Sequence, residues 1–153
     1  MKRLRVSPLE THIGYWLRFA SNHVSQAFSR KVESCGVTVA EWVVLRALFE
    51  RSPLAPSELA DALGTTRGAI SKLVDRLVEK SLATKTAGEE KDRRFQSVAL
   101  TPKGRALVPK LAALADQNDK EFFGSLRASE RVMLTELMKR IVRKHGAKVV
   151  PMD

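Results

Sequence analysis

Residues 56–77 read PSELADALGTTRGAISKLVDRL, and three positions in this stretch, Ala60, Gly64 and Ile70, decide the fold. Where two helices cross closely, the first must carry a small side chain at the crossing. The turn between them needs a residue that accepts positive φ, and an apolar side chain from the second helix must plug the junction. The spacing Ala60-x3-Gly64-x5-Ile70 meets all three demands, so it predicts a helix-turn-helix with helices over 56–62 and 66–80. Leu59, Leu63 and Leu73 fill the remaining inward places. Pro56 suits a first helical position, whereas Ala55 is a poor cap.

The second of these helices has two faces. At about 100° per residue, Ile70, Leu73, Val74 and Leu77 fall on one side, with Thr65, Gly68, Lys72 and Asp75 opposite and Arg67, Ser71 and Arg76 flanking. Small, hydroxylic and basic groups together are what a helix needs to enter a DNA major groove. Arg and Lys reach guanine acceptors or phosphates, Ser and Thr bind edges or phosphates, and glycine permits close approach. Thr65, Thr66, Arg67, Gly68, Ser71, Lys72 and Arg76 are therefore the expected DNA contacts. A merely solvated face would carry similar residues; the position after the helix-turn-helix spacing and before a hairpin favours the reader.

That hairpin is read from a change of period. After residue 80 helical spacing stops, and 82–85 and 96–100 read as short strands, the second alternating Val98 and Leu100 with Ser97 and Ala99. The polar run between them holds Lys91, Asp92, Arg93 and Arg94. An arginine on a thin hairpin can enter a narrow minor groove, where the potential is most negative. Lys91, Arg93 and Arg94 are the expected wing contacts, and Asp92 makes sense there if it pairs with an arginine and orients the wing.

Outside the reader the chain is helical. An i, i+3, i+4, i+7 apolar series predicts a helix over 9–32, ended by Gly36. Thr38, with Glu41 three residues on, predicts a capped helix to about Glu50, which Ser52-Pro53 terminates. Thr101-Pro102 starts a helix to about Phe123 with Pro109 as a candidate kink, Ser129 opens another that closes at His145-Gly146, and 147–153 is expected to be a flexible tail.

Gly64-Thr-Thr-Arg-Gly-Ala-Ile-Ser-Lys-Leu-Val-Asp-Arg-Leu77, Asp92-Arg-Arg94 and Leu100-Thr-Pro-Lys-Gly104 together resemble the multiple antibiotic resistance regulator (MarR) family. The likeness extends over nearly the whole chain, and the Asp-x-Arg wing leading into Leu-Thr-x-x-Gly is its most specific part. The resemblance implies a mainly α fold with a small β-hairpin, a winged helix-turn-helix over 39–101 (wing about 82–100), and helices in 1–38 and 102–146 forming a dimerisation region. It implies a homodimer, Arg94 as the minor-groove arginine, and release of DNA on binding small aromatic, often phenolic, acids. One departure is Ser81, where a glycine is common after the reading helix.

The apolar faces of 9–32, 102–123 and 130–145 exceed what a reader of this size can cover, so burial against a second copy is expected. Such a dimer reads an inverted repeat of double-stranded DNA with half-site centres about 10 bp apart. The expected function is thus sequence-specific transcription regulation, as a repressor whose release a small aromatic ligand controls. His12, Tyr15, Trp16, Trp42 and Arg46 are the candidates for lining that ligand's pocket; core roles for the two tryptophans are the competing reading.

Other classes find less support. The net charge of +10 favours polyanionic partners. Yet residues 1–52 hold eight basic against four acidic residues, 53–100 eight against seven, and 101–153 eleven against six, so the excess lies outside the reader. One cysteine, Cys35, excludes an internal disulfide and fits a reducing, cytoplasmic setting; beside it in sequence only Lys31 could activate a thiolate for redox sensing. His12 and His23 would stand about 16 Å apart along one helix and cannot share a metal ion. No nucleophile–base pair, phosphate loop or cofactor motif points to an enzyme. No run of about 20 apolar residues suggests a membrane span, and no apolar segment follows the basic N-terminus as a secretory signal needs. A winged helix that binds protein rather than DNA is the rival from another class, and the basic residues of 65–76 and of the wing argue against it.

Overall fold

The computed structural model describes residues 6–87 and 96–146. A 3-10 turn (Leu9–Thr11) leads into α1 (Ile13–Glu33), α2 (Val39–Glu50), α3 (Pro56–Leu63) and α4 (Arg67–Glu79). The antiparallel hairpin β1 (Ala83–Ala87) and β2 (Gln96–Leu100) follows, then α5 (Pro102–Phe123) and α6 (Ala128–Lys144). Among the described residues the difference of kind from the sequence reading is at the start. Instead of one helix from residue 9, the chain turns at Pro8, whose carbonyl accepts from both the amide and the hydroxyl of Thr11, and His12 is extended before α1 begins. Apolar spacing cannot reveal that break, because Leu9 keeps the helical period while remaining exposed.

The Thr38 and Thr101 caps read from sequence are present, whereas α6 starts one residue before Ser129 with Arg127 as its N-cap. Thr38 Oγ1 accepts from the Glu41 amide at 3.2 Å, and the Glu41 carboxylate accepts from the Thr38 amide at 2.9 Å. Gly36 takes positive φ at the α1–α2 turn. Thr101 Oγ1 accepts from the Gly104 amide and donates to the Ser81 carbonyl, so one hydroxyl caps α5 and holds the turn after α4. α5 continues through Pro109. At α3 Glu58 compensates for Ala55 by accepting its amide at 2.7 Å.

The hairpin pairs Ala83 with Leu100 through to Ala87 with Gln96. A further rung joins β2 to the α2–α3 connection: Leu54 and Val98 exchange two backbone hydrogen bonds, at 3.0 and 2.8 Å. The core is one cluster centred on Val44, Leu45, Leu48, Leu59, Ile70, Leu77 and Val98. It also takes in Val32 of α1 and Val108 and Leu111 of α5, and so crosses both boundaries expected near residues 38 and 101. Gly104 is buried against the Leu82 backbone, where an added Cβ would stand 2.9 Å from the carbonyl carbon and closer still to its oxygen. The glycine of the Leu-Thr-x-x-Gly sequence thus lets α5 pass over the strand entry.

The outer helices are different. α1 buries only Ala27 and Val32, and α6 buries nothing. Ile13, Trp16, Leu17 and Phe19 on α1 and Val132, Met133, Leu137, Met138 and Ile141 on α6 are exposed. α1 and α5 are tied by Lys31, which donates to Asn118 and pairs with Glu121 at 2.7 Å. Hydrogen bonds from Lys31 and Gln117 hold the Glu121 carboxyl below the usual carboxylate range.

Candidate nucleic-acid interface

α3 and α4 meet as the three deciding residues require. Ala60 and Ile70 are buried, and Gly64 is left-handed at φ 63°, which turns the chain by directing the Thr65 amide back to the Ala60 carbonyl at 3.0 Å. Thr66 starts α4, its hydroxyl accepting from the Ala69 amide at 3.1 Å. The helix then divides cleanly. Ile70, Leu73, Val74 and Leu77 are buried, while Thr66, Arg67, Gly68, Ser71, Lys72 and Arg76 are exposed and Thr65 is half-buried. Among the described residues, no side-chain hydrogen bond or ion pair engages Arg67, Ser71, Lys72 or Arg76. A helix face whose cations have no internal partner is electrostatically available to a polyanion.

The same face carries Asp75, an obvious liability near phosphate. The structure pairs it with Lys85 of β1, which neutralises the carboxylate and ties the hairpin to the reading helix. Lys85 had no distinguishing signal in sequence, since a lysine on a short polar strand looks solvated. Lys91, Asp92, Arg93 and Arg94 lie outside the described residues, as does the tail 147–153.

The far end of α4 is fixed from three directions. Lys80 Nζ pairs with the buried Glu41 carboxylate at 2.7 Å and donates to the Gly36 carbonyl at 2.8 Å, and Lys103 Nζ donates to the Lys80 carbonyl at 3.1 Å. Ser81 then adopts φ 60°, a left-handed conformation that favours glycine and explains why glycine is the common residue there.

The five ligand candidates fall into two groups. Trp42 and Arg46 share a cleft of about 350 Å³ with Ala47, Leu54 and Leu63, and Arg46 pairs with Glu50 at 2.7 Å. His12, Tyr15 and Trp16 lie at the start of α1, where Trp16 donates to the Glu10 carbonyl and Tyr15 stacks on Phe19. His12, Tyr15 and Trp16 line neither the Trp42–Arg46 cleft nor the cavities of about 640, 560 and 450 Å³ elsewhere on the chain. No described helix is long and apolar enough to cross a membrane.

Residues 36–94 match the profile of the MarR family. The HTH-type transcriptional repressor NicR of Pseudomonas putida is 29% identical over 130 residues, covering 85% of this chain and 82% of the relative. A solved structure of a probable transcriptional regulator from Pseudomonas aeruginosa superposes with a TM-score of 0.75 at 27% identity, covering 88% of this chain and 99% of the other. The structure of Bordetella bronchiseptica BpsR, which concerns regulation of its DNA binding by 6-hydroxynicotinic acid, gives 0.76 at 27% identity, covering 90% and 97%.

Proposed function

We propose that the chain, whose residues 36–94 match the MarR family profile, is a transcriptional regulator of that type and a homodimeric repressor of an inverted-repeat operator. The observation that carries the reading is the division of α4: one face locked into the core, the other offering Arg67, Ser71, Lys72 and Arg76 with no partner among the described residues. In this reading Thr65, Thr66, Arg67, Gly68, Ser71, Lys72 and Arg76 meet the major groove. Lys91, Arg93 and Arg94 reach the minor groove beside it. The exposed apolar residues of α1 and α6 supply the dimer contact, and a symmetric dimer demands a symmetric site. The protein catalyses no reaction in this scheme and works where the DNA is, in the cytoplasm.

A binding titration on the DNA flanking its own gene, repeated over a salt series, tests this. A specific duplex should bind at least about a thousandfold more tightly than a scrambled one. Lys72→Ala should lower the salt slope by about one if Lys72 meets a phosphate. Equal affinity for specific and scrambled duplexes at every salt would overturn the reading and favour a protein partner.

For the effector, the Trp42–Arg46 cleft supports a small aromatic acid: an indole, apolar walls and the guanidinium groups of Arg46 and Arg51 suit a ring bearing a carboxylate that displaces Glu50 from Arg46. BpsR, similar over nearly its whole length, is regulated by such a molecule. Titration with 6-hydroxynicotinate and with salicylate, following tryptophan fluorescence and operator release together, should show both responses in the wild type and neither in Arg46→Ala. Absence of both responses in the wild type would remove the cleft from consideration.

A further inference from the structure

The α1–α2 turn, the C-terminal end of α4 and the first turns of α5 enclose a groove of about 450 Å³, within the range of small-molecule sites. Three ammonium groups line it, Lys80, Lys103 and Lys110, and no acidic side chain does. Lys80 is balanced from behind by Glu41. Among the described residues Lys103 has only a neutral carbonyl as partner, and Lys110 has no hydrogen bond or ion pair. Two positive charges therefore stand uncompensated over one concave surface. Its floor is apolar, formed by Leu82, which is buried, and by Leu107. Cys35, the chain's sole cysteine, sits on the rim.

We propose that this groove is a binding site for a small organic dianion with an apolar body, a phosphate monoester or a dicarboxylate carried on a ring or short chain. The charge count sets the head group. A monoanion leaves one ammonium without a counter-charge, whereas a dianion matches Lys103 and Lys110 with Lys80 in reserve. Lysine ammonium groups act as point charges and accept either head. The leucine floor selects a ligand with an apolar part over a bare inorganic ion. None of its lining residues belongs to the outward face of α4 or to the Trp42–Arg46 cleft, so it is a separate site.

Cys35 provides the readout, because a ligand in the groove shields its Sγ from a neutral alkylating reagent. The alkylation rate with iodoacetamide should fall in the presence of phenyl phosphate or phthalate, and whichever protects at the lower concentration identifies the head group. Benzoate and inorganic phosphate should each protect more weakly. Comparing rates with and without ligand within each variant cancels any change in the thiol itself. Lys103→Gln and Lys110→Gln should each raise the half-protecting concentration about two- to fivefold, as expected for exposed charge pairs, with thermal unfolding unchanged in Lys110→Gln. No protection by either dianion at millimolar concentration would falsify the proposal. Protection that is equal for benzoate, or that survives the double lysine variant undiminished, would likewise overturn it.

Discussion

At the scale of single residues, two positions carry opposite backbone demands. Ser81 holds a left-handed conformation that costs an L-residue about 1–2 kcal/mol. Ser81→Gly should therefore stabilise the fold by about 0.5–1 kcal/mol, the relieved strain less the added chain entropy of glycine, read as a higher urea midpoint at unchanged slope. Gly68 is the reverse: it sits in α4 with ordinary helical geometry, and a Cβ there would meet nothing within 4 Å. Helix propensity alone predicts that Gly68→Ala stabilises by up to about 1 kcal/mol. If Gly68 faces the groove as proposed, the same methyl group should weaken operator binding, and a variant that is more stable yet binds as tightly would place Gly68 away from DNA. Ala60, Gly64 and Ile70 could be read directly from sequence, because a crossing, a turn and a plug impose fixed local spacings. Ser81 could be read only as a departure from a family pattern; its φ supplies the reason.

Among elements, what holds the reader in place was hidden from sequence. The Lys80–Glu41 pair joins residues 39 apart, and the Lys85–Asp75 pair joins α4 to a strand. In sequence Lys80, Asp75 and Lys85 look like ordinary solvated charges and Glu41 reads only as a cap, since periodicity records which face is apolar but not which charges meet. Glu41 is the more consequential of them. Its carboxylate is 1% exposed and serves the Thr38 amide and Lys80 together. Glu41→Ala removes both bonds and leaves a partly buried ammonium without its partner, so a loss of about 2–4 kcal/mol is expected. Glu41→Gln keeps the cap and should cost less. Chemical unfolding of the two variants separates the capping role from the charge, and equal losses would show that the ion pair decides the cost. The start of α1 was also illegible, for Leu9 fits the helical period while the chain bends at Pro8 and His12.

For the whole molecule, the apolar excess on the outer helices is the legible feature, and it leads to the proposed dimer. Ile141 is 56% exposed on a helix that buries nothing in its own chain. Ile141→Asp should thus leave the helical circular dichroism intact while shifting the sedimentation coefficient to that of a monomer, with loss of tight binding to an inverted repeat. A variant that stays dimeric would move the contact away from this part of α6. The charge of +10 is carried mainly by the flanks, so under the proposed function it would serve long-range attraction to DNA rather than recognition. One further consequence comes from the Leu54–Val98 rung. It stitches the wing to the α2–α3 connection, and the core continues from there into α1 and α5. A lobe bound together in this way behaves as a rigid jaw, so in the proposed dimer two such jaws form a caliper. What a signal can then adjust is the gap between the tips. An operator with one base pair added between its half-sites, a change of about 36° in phase and 3.4 Å in length, should discriminate between open and closed settings more sharply than any single base change within a half-site.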